Sequence, residues 1–190
     1  YYARVAGGKM NGRVSRLLLA PLLIAMERVL GRNDYLDFLR SFRYPLAGEF
    51  SFRRSLIPEL RIPSDWGLEV GILSEMHRNQ ASNRICQVNI ADTYDHKHQP
   101  LSEDDRSAGL SRMSSDISKV LIRKLATKGH CFGHETFRTI KATYFRIALD
   151  MVRIYQTDAE LNQEIGCAAH VWGKTKPRHF EILESISRAS

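Results

Sequence analysis

Cysteine is scarce in this sequence. Cys86, Cys131 and Cys167 are widely spaced and odd in number, which excludes a disulfide framework and suits a reducing, cytoplasmic setting. Long apolar runs are lacking too. The longest, Leu17 to Met26, is interrupted by Pro21 and is too short to cross a bilayer, and no small-residue cleavage site follows it as after a signal peptide. No membrane association is therefore expected. There is no block of five or more basic residues, no internal repeat and no low-complexity segment. P-loop, G-x-S-x-G and C-x-x-C patterns are all missing, so the common signatures of nucleotide, acyl and thiol chemistry are not available.

What is present is an ordinary globular balance: 190 residues, 43% hydrophobic and 26% charged, enough for one domain with a core or a domain with a helical extension. The net charge of +7 favours anionic partners, whether nucleic acid, phosphorylated metabolites or acidic lipid. A basic helical module for nucleic acid is one reading. The scatter of Lys and Arg, and the few aromatics interleaved with them, count against it.

Residues 1–11 read as a loop, with Asn11-Gly12 a turn signal. From Val14 to about Val29 apolar residues recur at helical spacing, and Gly31 stops the run. A short helix is expected over Asp34 to Phe42, capped by Asn33 or Asp34, then a loop at Pro45 and Gly48 and a helical turn at Ser55 to Leu60. A further helix follows Ser64 or Asp65 as cap and runs through Trp66 to Met76. Arg84 to Ala91 alternates and is the expected strand, followed by a polar loop with His96 and His98. Beyond Ser102 the period is helical. Ser114, Ser115 or Asp116 is expected to cap Ile117 to Ala126, Lys128-Gly129 is a break, and Thr136 to Gln156 places Ile140, Tyr144, Ile147, Ala148, Met151 and Ile154 on one face. A final amphipathic stretch covers Phe180 to Ile186.

Four places carry possible chemistry. Gly12, Arg13 and Ser15 stand at a loop-to-helix junction, where amide N–H groups, a forked guanidinium and a hydroxyl suit an anion; an ordinary Asn-Gly turn with Ser15 as cap is the plainer reading of the same residues. Leu46, Ala47 and Gly48 form a loop in which Gly48 permits close approach of a ligand, or a plain surface turn. Glu69 lies in the apolar stretch WGLEVGIL, where a carboxylate needs a partner or a function. His96 follows the expected strand, where it suits a metal ligand, an acid/base or simply a solvated loop. His130 and His134 have i, i+4 spacing, but the glycines around them weaken a helical metal site.

Taken in order, GRVSRLLLAPLL (12–23), YPLAGEFSFRR (44–54), WGLEVGILSEM (66–76) and QVNIADTYDHKHQPL (87–101) resemble the glucosyl-3-phosphoglycerate synthases, retaining glycosyltransferases of the GT-A type, and their mannosyl-3-phosphoglycerate-forming relatives. The resemblance covers residues 1–101 and implies an α/β, Rossmann-like acceptor-side half, with 102–190 as a helical region that packs a homodimer. It implies that Gly12, Arg13 and Ser15 hold the 3-phosphoglycerate acceptor, where the family has Gly-Arg-Val-Thr. Leu46, Ala47 and Gly48 would lie beside the donor sugar, Glu69 would contact the transferred sugar, His98 would adjoin the acceptor and His96 would ligate Mg²⁺ or Mn²⁺. The donor implied is UDP-glucose or GDP-glucose. Trp66, Tyr94 and His98 depart from the family's usual Tyr, Arg and Asn, and the latter two bear on acceptor identity. No Asp-x-Asp metal motif occurs in a strand-end context, so the nucleotide-binding half, which precedes the GRVT segment in the family, is expected to lie outside this chain. Mannosyl transfer to a related acceptor, the nucleic-acid module and an inactive remnant are the competing readings.

Overall fold

The structure, a computed structural model, describes residues 2–3, 5–6, 9–10, 12–93 and 109–161. Five α-helices carry it: α1 (Ala20–Leu30), α2 (Asp34–Arg40), α3 (Leu68–Asn79), α4 (Gly109–Ala126) and α5 (His134–Leu161). The β content among the described residues is four strands of two or three residues. β1 (Tyr2–Ala3) pairs in parallel with β4 (Ala91–Thr93), and β2 (Val5–Ala6) pairs antiparallel with β3 (Lys9–Met10). The described protein is thus mostly helical, and the α/β expectation is met on its helical side. The loop expected over 1–11 is replaced at its described residues by these short strand pairings.

Pro21 explains how the first helix begins. In a continuous α-helix its ring would collide with the carbonyl of Leu17, and it has no N–H to give that carbonyl. The chain answers with a wider π-helical turn, Val14–Leu19, closed by Ala20 N–H to Ser15 O, before α1 proper. The Tyr144 hydroxyl on α5 donates to Leu17 O at 2.7 Å. α1 ends as expected, at Gly31 with φ +85°.

One apolar cluster joins the π turn and all five α-helices. Leu18, Leu22, Leu23 and Met26 meet Tyr35, Leu36 and Leu39 of α2, Val70 of α3, Ile117, Leu121 and Leu125 of α4, and Ile140, Tyr144 and Ile147 of α5. α1 lies along α5. Each such fully buried side chain stabilises the fold by about 1.5–3 kcal/mol relative to exposure. α2 is capped as the sequence suggests, with Asn33 Oδ1 accepting from Tyr35 N–H at 2.9 Å.

Four local expectations are corrected. Residues 85–90 are irregular, and the strand is confined to Ala91–Thr93; Val88 and Ile90 remain 60% and 53% exposed, so the alternating pattern meets no core that would fix a strand face. α4 starts at Gly109, well before Ser114. Ser114 and Ser118 sit inside it and donate to the carbonyls of Leu110 and Ser114, the local bond that serine uses in mid-helix. Asp65 Oδ1 accepts from Gly67 N–H, serving the turn before α3; the N-cap position of α3 is Gly67, so no side chain caps the helix. Ile154 is 56% exposed, because α5, at 28 residues, outruns the 17 residues of the π turn and α1 against which it packs. The 180–186 stretch lies outside the described residues.

α3 sits close to its neighbours because two glycines let it. A Cβ on Gly67 would come 2.3 Å from Val120 Cγ2 of α4, and one on Gly71 would come 2.3 Å from Pro63 Cδ. Between the same two helices Lys124 Nζ donates to Glu75 Oε1 at 2.6 Å.

Candidate functional site

The chain enters the first helix through Gly12, whose φ of +85° is open to glycine and strained for other residues. A Cβ there would stand 3.3 Å from Tyr44 Cε2. The turn at 12–15 therefore lies against the start of the 44–48 loop. That loop is closed by Ala47 N–H to Tyr44 O at 3.1 Å and anchored by Leu46, which packs on the core cluster. Gly48 at its tip is exposed, and a Cβ on it would lie 3.8 Å from Glu69 Oε1. Three segments singled out in the sequence thus meet in series: Gly12 at Tyr44, and Gly48 at Glu69.

A cleft of about 1260 Å³ opens beside them. Tyr44, Ala47, Phe50, Phe52, Glu69, Ile72 and Met76 are among its walls, with Glu49, Arg53 and Arg84 as charged rims. Phe50 and Phe52 stack with centroids 5.8 Å apart and planes 8° apart, giving a flat aromatic surface. Leu46, Gly48 and the 12–15 turn are neighbours of this space, not part of its lining.

Glu69 was expected to be the buried carboxylate of its helix. It is half-buried, in the first turn of α3 and open to the cleft. The buried carboxylate is Glu75, 1% exposed, which the sequence reading passed over. It accepts from Lys124 at 2.6 Å, from Arg78 at 2.8 Å and from Arg61 N–H at 3.4 Å. Burial acts to raise its pKa, but the bonds from Lys124 and Arg78 outweigh burial and hold it below the usual carboxylate value. The one local signal for it was the i, i+3 spacing to Arg78. Lys124 is 49 residues away and leaves no mark near Glu75.

Ser15 is 6% exposed, and its Oγ has no hydrogen-bond partner. Arg13 is half-buried at the helix start, and the first turn contains no acid. Helix start, cation and hydroxyl together suit an anion. His130 bonds to Asn33 Nδ2 at 2.8 Å and precedes α5, so it and His134 do not share a helical face. His96 and His98 lie outside the described residues. Among the described residues no three His, Cys, Asp or Glu side chains come together to hold a metal ion, and none of the described helices is long and apolar enough to cross a membrane.

Comparison with known proteins adds to this geometry. A protein from Persephonella marina named glucosyl-3-phosphoglycerate synthase is 46% identical over 182 residues, 96% of this chain and 42% of that protein. One of the same name from Methanococcoides burtonii is 40% identical over 165 residues, 85% of this chain and 40% of that protein. Another, from Mycobacterium tuberculosis, is 29% identical over 114 residues. This chain is a homologue of part of the glucosyl-3-phosphoglycerate synthases, as the resemblance of its motifs implied. It spans about two-fifths of the length of the first two relatives. No protein-family model matches it, and no solved structure matches it.

Proposed function

We propose that this chain is the acceptor-side and helical part of a glucosyl-3-phosphoglycerate synthase of the GT-A type, moving glucose from UDP-glucose or GDP-glucose to 3-phosphoglycerate with retention of configuration. The observation that carries the reading is the convergence of the Gly12 turn, the 44–48 loop and Glu69 beside one cleft. Homology over 96% of the chain to a protein of that name supports it.

In this reading each group has a task its chemistry suits. Arg13 and the amides of the helix start hold an anionic group of the acceptor. Glu69 accepts hydrogen bonds from sugar hydroxyls and lies where positive charge develops at the anomeric carbon. The aromatic surface of Phe50 and Phe52 and the apolar wall of α3 exclude water from the reacting groups. Mg²⁺ or Mn²⁺, when bound, would offset charge on the departing diphosphate. His96 is its proposed ligand here, and the described residues contribute no ligand cluster. Packing of α4 and α5 against a second copy is a further part of the proposal.

The test is transfer from UDP-glucose, GDP-glucose and GDP-mannose to 3-phosphoglycerate, measured with the longer polypeptide of which this chain is the homologous part. Glu69→Gln is expected to lower kcat roughly a hundredfold. Undiminished turnover in that variant, or glycosylation of a different acceptor only, would overturn the assignment.

A further inference from the structure

We infer that Arg16 is a second anion-holding residue beside Arg13, so that the turn entering the first helix takes a ligand with two anionic groups. The chemical identity of that ligand rests on the proposed acceptor; the site itself does not. Arg16 Nη1 is enclosed by protein and has no hydrogen-bond partner, and Ser15 Oγ, one residue earlier, is in the same condition. Two neighbouring buried donors without acceptors are costly in a folded protein. Side chains of a helix tilt toward its N-terminus, which directs both of these back toward the Gly12–Arg13 turn.

Arg13 and Arg16 are three residues apart and share a helical face. They stand at the positive end of the helix, whose first turn has no acid. Two cations there repel each other and the helix dipole, and a bound anion reverses both effects. The buried acid of the neighbouring α4, Asp116, lies 3.7 Å from Arg112 and 3.8 Å from Lys119, and its Oδ2 likewise has no hydrogen-bond partner. The main-chain N–H of Arg16 is spent on Gly12 O at 3.1 Å, so the side chain is what Arg16 has to offer. A phosphate on one guanidinium and a carboxylate on the other would meet this arrangement, and 3-phosphoglycerate carries both.

The experiment is calorimetric titration of the chain with inorganic phosphate, then with 3-phosphoglycerate and with glycerol 3-phosphate, which lacks the carboxylate. Arg16→Gln is expected to weaken phosphate binding about tenfold, while Arg138→Gln, a change of equal charge on exposed α5 surface, leaves it unaltered. Arg16→Lys is expected to fall between them, and it carries the test if Arg16→Gln lacks the wild-type circular dichroism. Equal phosphate affinity in wild type and the Arg16 variants, no phosphate binding by wild type, or an equal loss in Arg138→Gln would each overturn the assignment. If phosphate binding depends on Arg16 but 3-phosphoglycerate binds no better than glycerol 3-phosphate, the two-anion ligand and the acceptor identification both fall, and Arg16 is left as part of a phosphate site only.

Discussion

Lys124 on α4 reaches Glu75 on α3 at 2.6 Å, and the Glu75 side chain is 2% exposed where they meet. This contact fixes the helix that presents Glu69 to the helix behind it. Removing one partner of a buried pair strands the other, which is a larger loss than the pair's net contribution. Lys124→Met is therefore expected to destabilise the fold by about 2–4 kcal/mol in urea unfolding, and Glu75→Leu combined with Lys124→Met to recover most of that. A double variant no more stable than Lys124→Met alone would show that the ion pair itself, not a stranded charge, governs the difference.

Acid is expected to act in two steps. Burial and the nearby Lys128 hold His77 below its ordinary 6.5, against Asp34. The fold prefers the neutral ring, so this contribution is whole above about pH 6.5 and is lost as pH falls through the lowered value. Glu75 is also held low, but the fold prefers its charged form. Its contribution is present above the unfolded value of 4.5 and is lost as pH falls through the folded one. Urea midpoints from neutral pH downward check this. His77→Gln should flatten the upper step and leave the lower; Glu75→Gln should do the reverse.

Gly67→Ala places a methyl 2.3 Å from Val120 Cγ2. A destabilisation of about 1–3 kcal/mol is expected. Val120→Ala should relieve it, so that the thermal midpoint of the double variant exceeds that of Gly67→Ala. Independent, additive losses would mean that the two helices do not meet there.

Gly12→Ala combines a strained φ of +85° with a Cβ 3.3 Å from Tyr44. About 1–3 kcal/mol of stability should be lost, and phosphate affinity should fall with it, since the turn that aims Arg13 has moved. Loss of stability with unchanged phosphate binding would separate the turn from the anion site.

Tyr144→Phe removes the donor to Leu17 O and should cost about 1–2 kcal/mol, read in the same urea unfolding. Burial pushes this phenol's pKa up in the fold, so its contribution is whole below the unfolded value of 10.0 and is lost as pH rises above it, where the unfolded chain ionises first.

The features legible in the sequence were local ones. The apolar period of 14–29, the Asn33 cap and the Gly31 stop depend on residues within a turn or two of one another, and all three stand. The contacts that position the cleft join elements far apart in the chain. Lys124 with Glu75, Val120 with Gly67 and Tyr144 with Leu17 leave no periodic trace. Glu69 drew attention because its neighbours are apolar, yet helix geometry turns it to the cleft and turns Glu75 inward. Motif resemblance singled out Gly12, Gly48 and Glu69, and the distances set Gly12 against Tyr44 and Gly48 against Glu69. The widening ahead of Pro21 is readable in retrospect, since a proline within an apolar helical run must release the carbonyl four residues before it.

That released carbonyl ties the two ends of the described chain into one heritable unit. Residue 17 belongs to the π turn that follows Gly12 and Arg13, and residue 144 belongs to α5. A recombination breakpoint between α3 and α4, even one preserving every residue beside the cleft, would set α1 against an α5 that came from a different parent. Exchange of sequence between relatives is thus expected to succeed when α1 and α5 come from the same parent, and chimaeras that mix them should be recovered only with compensating changes on both helices.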